Sequence, residues 1–283
     1  MLEGYLQILK TEFNVGLKKE YKFFQISDAH ITVFDEKSSE IDRTEYNRSR
    51  AQWHELKKIF AEQFSEFCDE RYDDAPTIPF ERLMEYAENG DFNGIIWSGD
   101  IVDRVTDSSI RYISNVLEKC RLPVIYCPGN HESLDIDGKY KNLYKRLTPI
   151  IKNPSFDMWD YGEFKIITID NGTKNIADNQ IDNLLLELKE DKKILLVLHA
   201  PLRLGEFGDL STSKFGSYFV MGVDGDPENV HRLIQIIDEN QDKFIGILAG
   251  HVHTSFESPV GDSLMQITTS SALIGVGREI IIK

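Results

Sequence analysis

Residues Gly94-Ile95-Ile96-Trp97-Ser98-Gly99-Asp100-Ile101-Val102-Asp103-Arg104 join a short apolar run to a polar cluster. The run from Gly94 to Trp97 is rich in β-branched and aromatic side chains, which is typical of a buried strand. Gly99 permits a tight turn after it, and Asp100 follows directly. Taken alone, the segment indicates only a turn that opens a helix, with Asp103 and Arg104 as a surface pair.

The same pattern of an apolar run and a polar cluster recurs at four other places in the chain. These runs are Phe23 to Ile26, Val124 to Cys127, Ile194 to Leu198 and Phe244 to Leu248. Asp, Asn or His follows each run. In open α/β sheets ligands bind beyond the carboxyl ends of the strands, so the sequence predicts that five polar clusters converge on one rim.

Amphipathic stretches between these runs predict helices. They cover Thr44 to about Arg71, Pro79 to Asn89, Ser108 to Lys119 and Asn179 to Lys189. A further helix is expected after Asp226, with Asp226 as its N-cap and Pro227 as its first residue. Its buried stripe is predicted to consist of Val230, Leu233, Ile234 and Ile237. Near the end, Ser263 to Thr269 and Gly277 to Lys283 predict antiparallel strands joined by a turn that contains glycine.

Length and composition favour one folded unit. The 283 residues are 41% apolar and 28% charged, and the chain shows no internal repeat or Pro/Gly-rich linker. We therefore expect a single domain over residues 1–283. Residues 32–93 form the longest spacing between polar clusters, and their composition predicts a helical insertion that overhangs the site.

Charge and apolar patterning exclude several classes of protein. The net charge is −15 and no stripe of Lys or Arg is present, which disfavours nucleic acid as a partner. Residues Met1 to Glu20 lack a signal-peptide pattern, and no eighteen apolar residues run together, so a cytoplasmic protein without a membrane span is expected. Cys68, Cys120 and Cys127 form no Cys-x-x-Cys pair and are predicted to be reduced, buried thiols.

The polar clusters contain the residue types that bind metal ions. Asp28 and His30 lie two apart after the first run, so both can turn toward one ion. The carboxylate of Asp100 could bridge two cations, and the amide oxygen of Asn130 is a hard ligand. Each cluster alone also fits a capped turn. However, five of the seven histidines directly follow predicted strands, and this set predicts a metal site: His30, His131, His199, His251 and His253.

At this point the sequence resembles the calcineurin-like metallophosphoesterases, whose blocks Asp-x-His, Gly-Asp, Gly-Asn-His-Glu, His and Gly-His-x-His occur here in order between residues 23 and 253. The resemblance implies an α/β fold, a four-layer αββα sandwich of two mixed β-sheets flanked by helices. It also implies two metal ions that share Asp100. One would be held by Asp28, His30, Asp100 and His253, and the other by Asp100, Asn130, His199 and His251.

The resemblance also assigns roles next to the metals. His131 corresponds to the catalytic histidine of the family, which acts on the phosphoester and binds no metal. The block from Asp100 to Arg104 looks like that of Ser/Thr protein phosphatases, in which the second Asp orients the histidine and the Arg contacts phosphate. These roles are carried over to Asp103 and Arg104. By contrast, His199-Ala200-Pro201 looks like the bacterial phosphodiesterase and general phosphatase branches.

The implied activity is hydrolysis of a small-molecule phosphodiester or phosphomonoester by a metal-bound hydroxide. Two cations about 3.5 to 4 Å apart can bind phosphate, acidify a bridging water and stabilise the attacking oxygen. Mixed His, Asp and Asn ligands suit manganese or iron, with zinc, nickel or magnesium as alternatives. Other readings are an inactive protein-binding scaffold of the same fold and a nuclease.

The sequence leaves open the roles of two further features. Residues Arg203 to Asp224 follow His199 and are expected either to wall the substrate site or to form a loop anchored by its aromatic residues, which are Phe207, Phe215, Tyr218 and Phe219. His54 and His231 lack companion ligands, so we expect surface or partly buried structural roles for them.

Overall fold

A mixed sheet forms one half of the fold in the described part of the chain. The computed structural model describes residues 6–64, 75–133, 143–205, 219–261 and 264–283. Across this sheet the strands follow the order β1 (Gln7–Phe13), β11 (Val276–Ile282), β2 (Tyr21–Ile26), β3 (Gly94–Ser98) and β4 (Val124–Cys127). Strands β2, β3 and β4 are parallel, whereas β11 is antiparallel to β2 and parallel to β1.

A second mixed sheet packs against the first. Its strands follow the order β5 (Phe156–Asp160), β6 (Phe164–Ile169), β7 (Lys193–Val197), β8 (Phe244–Ala249), β10 (Leu264–Thr268) and β9 (Phe256–Val260). The four inner strands are parallel, and β5 and β9 pair antiparallel at the edges. Side chains from both sheets share one apolar core, which includes Phe23, Ile96, Phe164, Leu195 and Leu248.

Helices cover the outer faces of the two sheets. Their bounds are α1 (Glu40–Phe64), α2 (Thr77–Asn89), α3 (Asp107–Lys119), α4 (Leu143–Leu147), α5 (Asp178–Glu187) and α6 (Glu228–Glu239). Phe80 of α2 and Ile113 of α3 pack with Ile95 and Trp97 of β3. On the other side, α5 and α6 pack on β7 and β8. The predicted αββα sandwich of two mixed sheets is therefore confirmed. Within the described ranges, no helix combines the length and apolar character needed to cross a membrane.

The five predicted strand runs correspond to β2, β3, β4, β7 and β8, but the predicted hairpin near the end is wrong. Strand β10 lies in the second sheet and β11 in the first, so the two strands do not pair. The segment between them crosses from one sheet to the other along the ends of the strands. There Ala272 N donates to Ser27 O at 2.8 Å, and Gly275 turns the chain with a φ of 78°.

The start of α6 also differs from the prediction. The helix begins at Glu228 with Pro227 as its N-cap, so Asp226 lies one residue too early to cap it. The Asp226 carboxylate instead accepts hydrogen bonds from Gly222 N at 2.7 Å and Val223 N at 3.2 Å, which closes the preceding turn. The predicted apolar stripe included Ile234, but Ile234 is only half-buried, whereas Ile236 is buried.

The predicted insertion at residues 32–93 divides into two helices with different surroundings. Helix α2 packs its apolar face into the core. Helix α1 starts at Glu40, four residues before the predicted start, and residues 65–71 of the prediction lie outside the described residues. Cys68, Phe207, Phe215 and Tyr218 also lie outside them. Cys127 is buried and Cys120 half-buried, and both are free thiols.

Candidate metal centre

The backbone is strained where the strands meet the predicted ligands. Among the described residues, six non-glycine residues have a positive φ, and five of them belong to the predicted metal set. These five are Asp28 (54°), His30 (48°), Asp100 (52°), His251 (67°) and His253 (51°). Such backbone is costly for residues with a Cβ atom, and it clusters at functional sites when the surroundings hold it in place. The sixth is Lys174 (56°).

Hydrogen bonds between loops hold this backbone. The turn after β2 donates from Asp28 N to Gly99 O at 3.0 Å and from His30 N to Asp100 O at 2.8 Å. The turn after β8 adds a bond from His251 N to the Asp28 carboxylate at 3.0 Å. The polar clusters of both sheets are thereby joined at one rim.

Glycines in the motifs allow these loops to approach closely. A Cβ atom at Gly99 would collide with the imidazole of His199, and one at Gly129 would collide with the Asp100 carboxylate. Gly99 also has a φ of 94°, which a side chain rarely tolerates. The motif glycines are therefore required by the packing of the site as well as by the turns.

Asp28, His30 and His253 form a first group of potential ligands. The Asp28 Oδ1 atom lies 3.2 Å from His253 Nε2 and 3.9 Å from His30 Nε2. The two imidazole Nε2 atoms are 3.0 Å apart. All three side chains are buried.

Asp100, Asn130, His199 and His251 form a second group beside the first. His199 Nε2 lies 3.1 Å from Asp100 Oδ2 and 3.0 Å from Asn130 Oδ1. Asp100, His199 and His251 each offer an atom within 4.8 Å of the others. Asp100 Oδ2 is also 4.0 Å from His30 Nε2, which places its carboxylate between the two groups.

The chemistry of these groups fits two cations. Carboxylate oxygens, an amide oxygen and imidazole nitrogens converge in a buried volume, and divalent transition metals accept this mixture of ligands. Burial lowers the pKa of His30 to about 4 and that of His251 to about 3, which keeps both imidazoles neutral and able to bind a metal. Burial opposes a charge on His199, yet the Asp100 carboxylate raises its pKa to about 10.

His131 lies next to these groups with its two ring nitrogens in different surroundings. Its Nδ1 atom is 2.7 Å from Asp103 Oδ1, and its Nε2 atom is 3.9 Å from Asp100 Oδ2. Burial disfavours the charged ring, but the carboxylates of Asp100 and Asp103 outweigh it and raise the pKa of His131 to about 9. The Nε2 atom of His131 therefore faces the two ligand groups, while Nδ1 faces Asp103.

Arg104 lies on the Nδ1 side of His131. Its Nη1 atom donates to Asp103 O at 2.8 Å and is 3.2 Å from His131 Nδ1. Its Nε atom is 3.4 Å from Glu45 Oε2 of α1. The bond to Asp103 O holds the backbone of the residue that contacts His131, and the phosphate contact expected for Arg104 stays a prediction.

Glu132 is a buried residue of the site for which the sequence analysis predicted no role. Its carboxylate accepts hydrogen bonds from three backbone donors of the loops, Asp100 N (2.9 Å), Gly129 N (2.6 Å) and Val102 N (3.0 Å), and from Tyr126 Oη of β4 (2.7 Å). It thus fixes the turn after β3 against the turn after β4. Its position directly after Asn130 and His131 in the sequence could have indicated that it belongs to the site.

Asn171 and Trp53 also support the site and were not predicted. Asn171 Oδ1 accepts from His199 N at 2.9 Å and from Ala200 N at 3.0 Å, which orients the loop after β7. The Trp53 ring of α1 lies 3.8 Å from the His30 ring, centroid to centroid. Helix α1 therefore covers the first group of ligands.

The remaining candidates have separate surroundings. His54 is half-buried on α1 and His231 is exposed on α6, and within the described residues neither belongs to a potential metal group. Phe219 from the predicted aromatic wall lies 5.4 Å from His251, centroid to centroid.

Comparisons with known proteins agree with this arrangement. A model of the family described as calcineurin-like phosphoesterase matches residues 21–255. A Fibrobacter succinogenes protein named a probable cyclic nucleotide phosphodiesterase is 23% identical over 186 residues, which are 65% of this chain and 66% of that protein, just under two thirds of its length. A dimetal phosphatase from Danio rerio has a similar structure, with a TM-score of 0.50, 12% identity and coverage of 89% of this chain and 88% of that one. The extent of the family match, which includes every loop of the candidate centre, shows that the chain belongs to the calcineurin-like phosphoesterase family.

Proposed function

We propose that the protein is a two-metal phosphoesterase that hydrolyses a small-molecule phosphodiester or phosphomonoester. The observation that carries the proposal is the Asp100 carboxylate between two buried ligand groups, with His131 beside it. Asp28, His30, Asp100 and His253 would hold one ion. Asp100, Asn130, His199 and His251 would hold the other, and manganese or iron suits these ligands best.

The ions and the protein side chains would contribute differently to the reaction. When bound, the two ions would supply positive charge to the phosphate oxygens and acidify a water molecule. His131 would donate the proton on Nε2 to the oxygen that leaves as the P–O ester bond breaks. Asp103 would hold the ring through Nδ1 and keep it protonated, while Arg104 and Glu45 would fix the position of Asp103 and His131.

The net charge of the chain bears on the size of the proposed substrate. A net charge of −15 repels polyanions at long range, which supports a small ester over a nucleic acid. The relative named as a probable cyclic nucleotide phosphodiesterase makes a small phosphodiester the first class to test.

Hydrolysis assays on metal-stripped protein test the proposal. Mn, Fe, Zn or Mg is restored singly, and turnover of bis(4-nitrophenyl) phosphate, 4-nitrophenyl phosphate and 3′,5′-cyclic AMP is measured. We expect metal-dependent turnover that falls by about 10²- to 10⁴-fold in His131→Ala. Asp100→Asn, which removes the shared charge, is expected to fall at least as far. Folded, metal-loaded protein that turns over none of these esters would contradict the proposal and favour the scaffold reading.

A further inference from the structure

A cavity of about 230 Å³ lies directly beside the second ligand group. Asn130 and His251 of the candidate centre form part of its lining, and the rest includes Ser133, Thr173 and Lys174. A phosphoester that reaches these two ligands can therefore direct one of its substituents into the cavity.

The lining of the cavity has a definite chemical character. The lining includes the hydroxyl-bearing residues Ser133 and Thr173, the basic residue Lys174 and the imidazole-bearing His251, and none of the described lining residues is acidic. In a chain with a net charge of −15, a positively charged wall beside the reaction centre is a local exception. Such a wall suits a small, oxygen-rich anionic group.

The turn that carries Lys174 is tied to the candidate centre. Asn171, at the start of this turn, holds the backbone of His199, and a Cβ atom at Gly172 would collide with the backbone of Gly129 and Asn130. The turn closes through a bond from Lys174 N to Asn171 O at 3.0 Å. A change in position of this turn would thus move ligands of the second group.

Lys174 is held in a costly conformation. Its φ of 56° makes it the sole described non-glycine residue with a positive φ outside the predicted metal ligands. Its Nζ atom donates to Val220 O at 3.1 Å, which fixes the side chain against the segment that precedes α6. Strained backbone persists where the surrounding structure maintains it, and it marks functional positions. The strain and the placement of the ammonium group are independent observations at the same residue.

We propose that this cavity is a subsite for the substituent of the phosphoester and that Lys174 selects esters whose substituent carries a second anionic group, such as a carboxylate or a phosphate. The inference rests on the proposed hydrolysis at the adjacent centre. Lys174 is a specificity-determining residue in it, with Thr173 and Ser133 as hydrogen-bond partners of the same group.

Two matched esters test the selection. Methyl 4-nitrophenyl phosphate and carboxymethyl 4-nitrophenyl phosphate share the scissile bond and the leaving group and differ by one carboxylate. We expect the manganese-loaded protein to favour the carboxymethyl ester in kcat/KM by about tenfold, the size of one charge-assisted hydrogen bond. Lys174→Met is expected to remove the preference through a higher KM for the carboxymethyl ester. Lys174→Arg retains it.

A binding measurement separates the subsite from catalysis. Calorimetric titration with carboxymethyl phosphate and methyl phosphate, the reaction products, is expected to show the same preference and the same dependence on Lys174. Lys189→Met is the matched control because it removes one positive charge from an exposed residue outside the cavity lining. If Lys174→Met does not fold, Thr173→Val takes its place, with an expected loss of about threefold in the preference.

The outcomes distinguish this inference from the proposed function. Hydrolysis of both esters at equal efficiency, or a preference that persists in Lys174→Met, overturns the subsite and leaves the phosphoesterase intact. If neither ester is hydrolysed while carboxymethyl phosphate still binds more tightly through Lys174, the subsite stands and the proposed function fails. Equal binding of the two products overturns the subsite regardless of turnover.

Discussion

His131 and Asp103 form the pair of residues on which the proposed proton transfer depends. The 2.7 Å contact between His131 Nδ1 and the Asp103 carboxylate leaves Nε2 directed toward Asp100. His131 is 13% exposed in its side chain, more than His30, His199 or His253, so a substrate can reach it. At the scale of single residues, the site thus combines buried candidate ligands with one more accessible histidine, His131, for which proton donation is proposed.

The charge of this pair predicts the alkaline limit of activity. Because the pKa of His131 is raised to about 9, the ring is protonated below that pH and loses its proton as the pH rises through it. We expect kcat/KM of the wild-type protein to fall as the pH rises through the pKa of His131. In Asp103→Asn the neighbouring negative charge is lost, so the fall should shift to lower pH. The pH profile of both proteins with a diester substrate measures this.

An alkaline limb at the same pH in both proteins would contradict the role given to Asp103. Glu45→Gln is a useful comparison, because Glu45 reaches His131 only through Arg104. Its profile should keep the shape of the wild type.

Helix α1 adds side chains to the site that the two sheets do not supply. It contributes Trp53, which stacks on His30 at a ring distance of 3.8 Å, and Glu45, which contacts Arg104. The ring of Trp53 is buried and also lies 5.7 Å from the ring of His131. The helix therefore contacts a proposed metal ligand, His30, and the proposed proton donor, His131.

Shortening Trp53 should loosen the first group of ligands. Residues that orient metal ligands typically change affinity by about 10- to 100-fold when they are replaced. We expect Trp53→Ala to weaken manganese binding by about tenfold, since His30 loses the surface that holds its ring. Trp53→Phe should keep most of the affinity. Calorimetric titration of metal-stripped protein measures both, and equal affinities for wild type and Trp53→Ala would show that α1 does not support the site.

The five strands that the sequence predicted before the polar clusters have largely buried side chains on both faces. Strands β2, β3, β4, β7 and β8 are covered on two sides and therefore appear as continuous apolar runs. Strands β5 and β9 lie at sheet edges and mix exposed with buried residues, so they gave no such run. Strand β6 is fully buried, yet Lys165 interrupts its apolar pattern, and this lysine is paired with Glu187 and Glu190.

The residues of the site likewise divide into those that the sequence predicted and those that it did not. The predicted ligands lie at strand ends within short motifs, so their spacing in sequence points to their place in the fold. Trp53, Asn171 and Lys174 act through contacts with segments distant in sequence, and such contacts depend on the packing of the whole chain. For the same reason the sequence did not predict that β10 and β11 belong to different sheets. Two strands that follow each other along the chain contain no local pattern that indicates which sheet each one joins.

At the scale of the whole molecule, two sheets from different parts of the chain each supply half of the centre. The first sheet carries Asp28, His30, Asp100 and Asn130, and the second carries His199, His251 and His253. Bound cations would hold the two halves together at the rim and offset the carboxylates gathered there. We expect the chain's net charge of −15 to repel polyanions at long range.

We would first count the metal ions bound per chain, by equilibrium dialysis of purified protein against manganese followed by elemental analysis. Two ions per chain are expected in the wild-type protein and in His231→Ala, which removes an exposed histidine outside the centre. Asp100→Asn should retain at most one, because its carboxylate lies between both ligand groups. A wild-type protein with one ion or none, or an Asp100→Asn protein that keeps two, would contradict a shared two-metal centre.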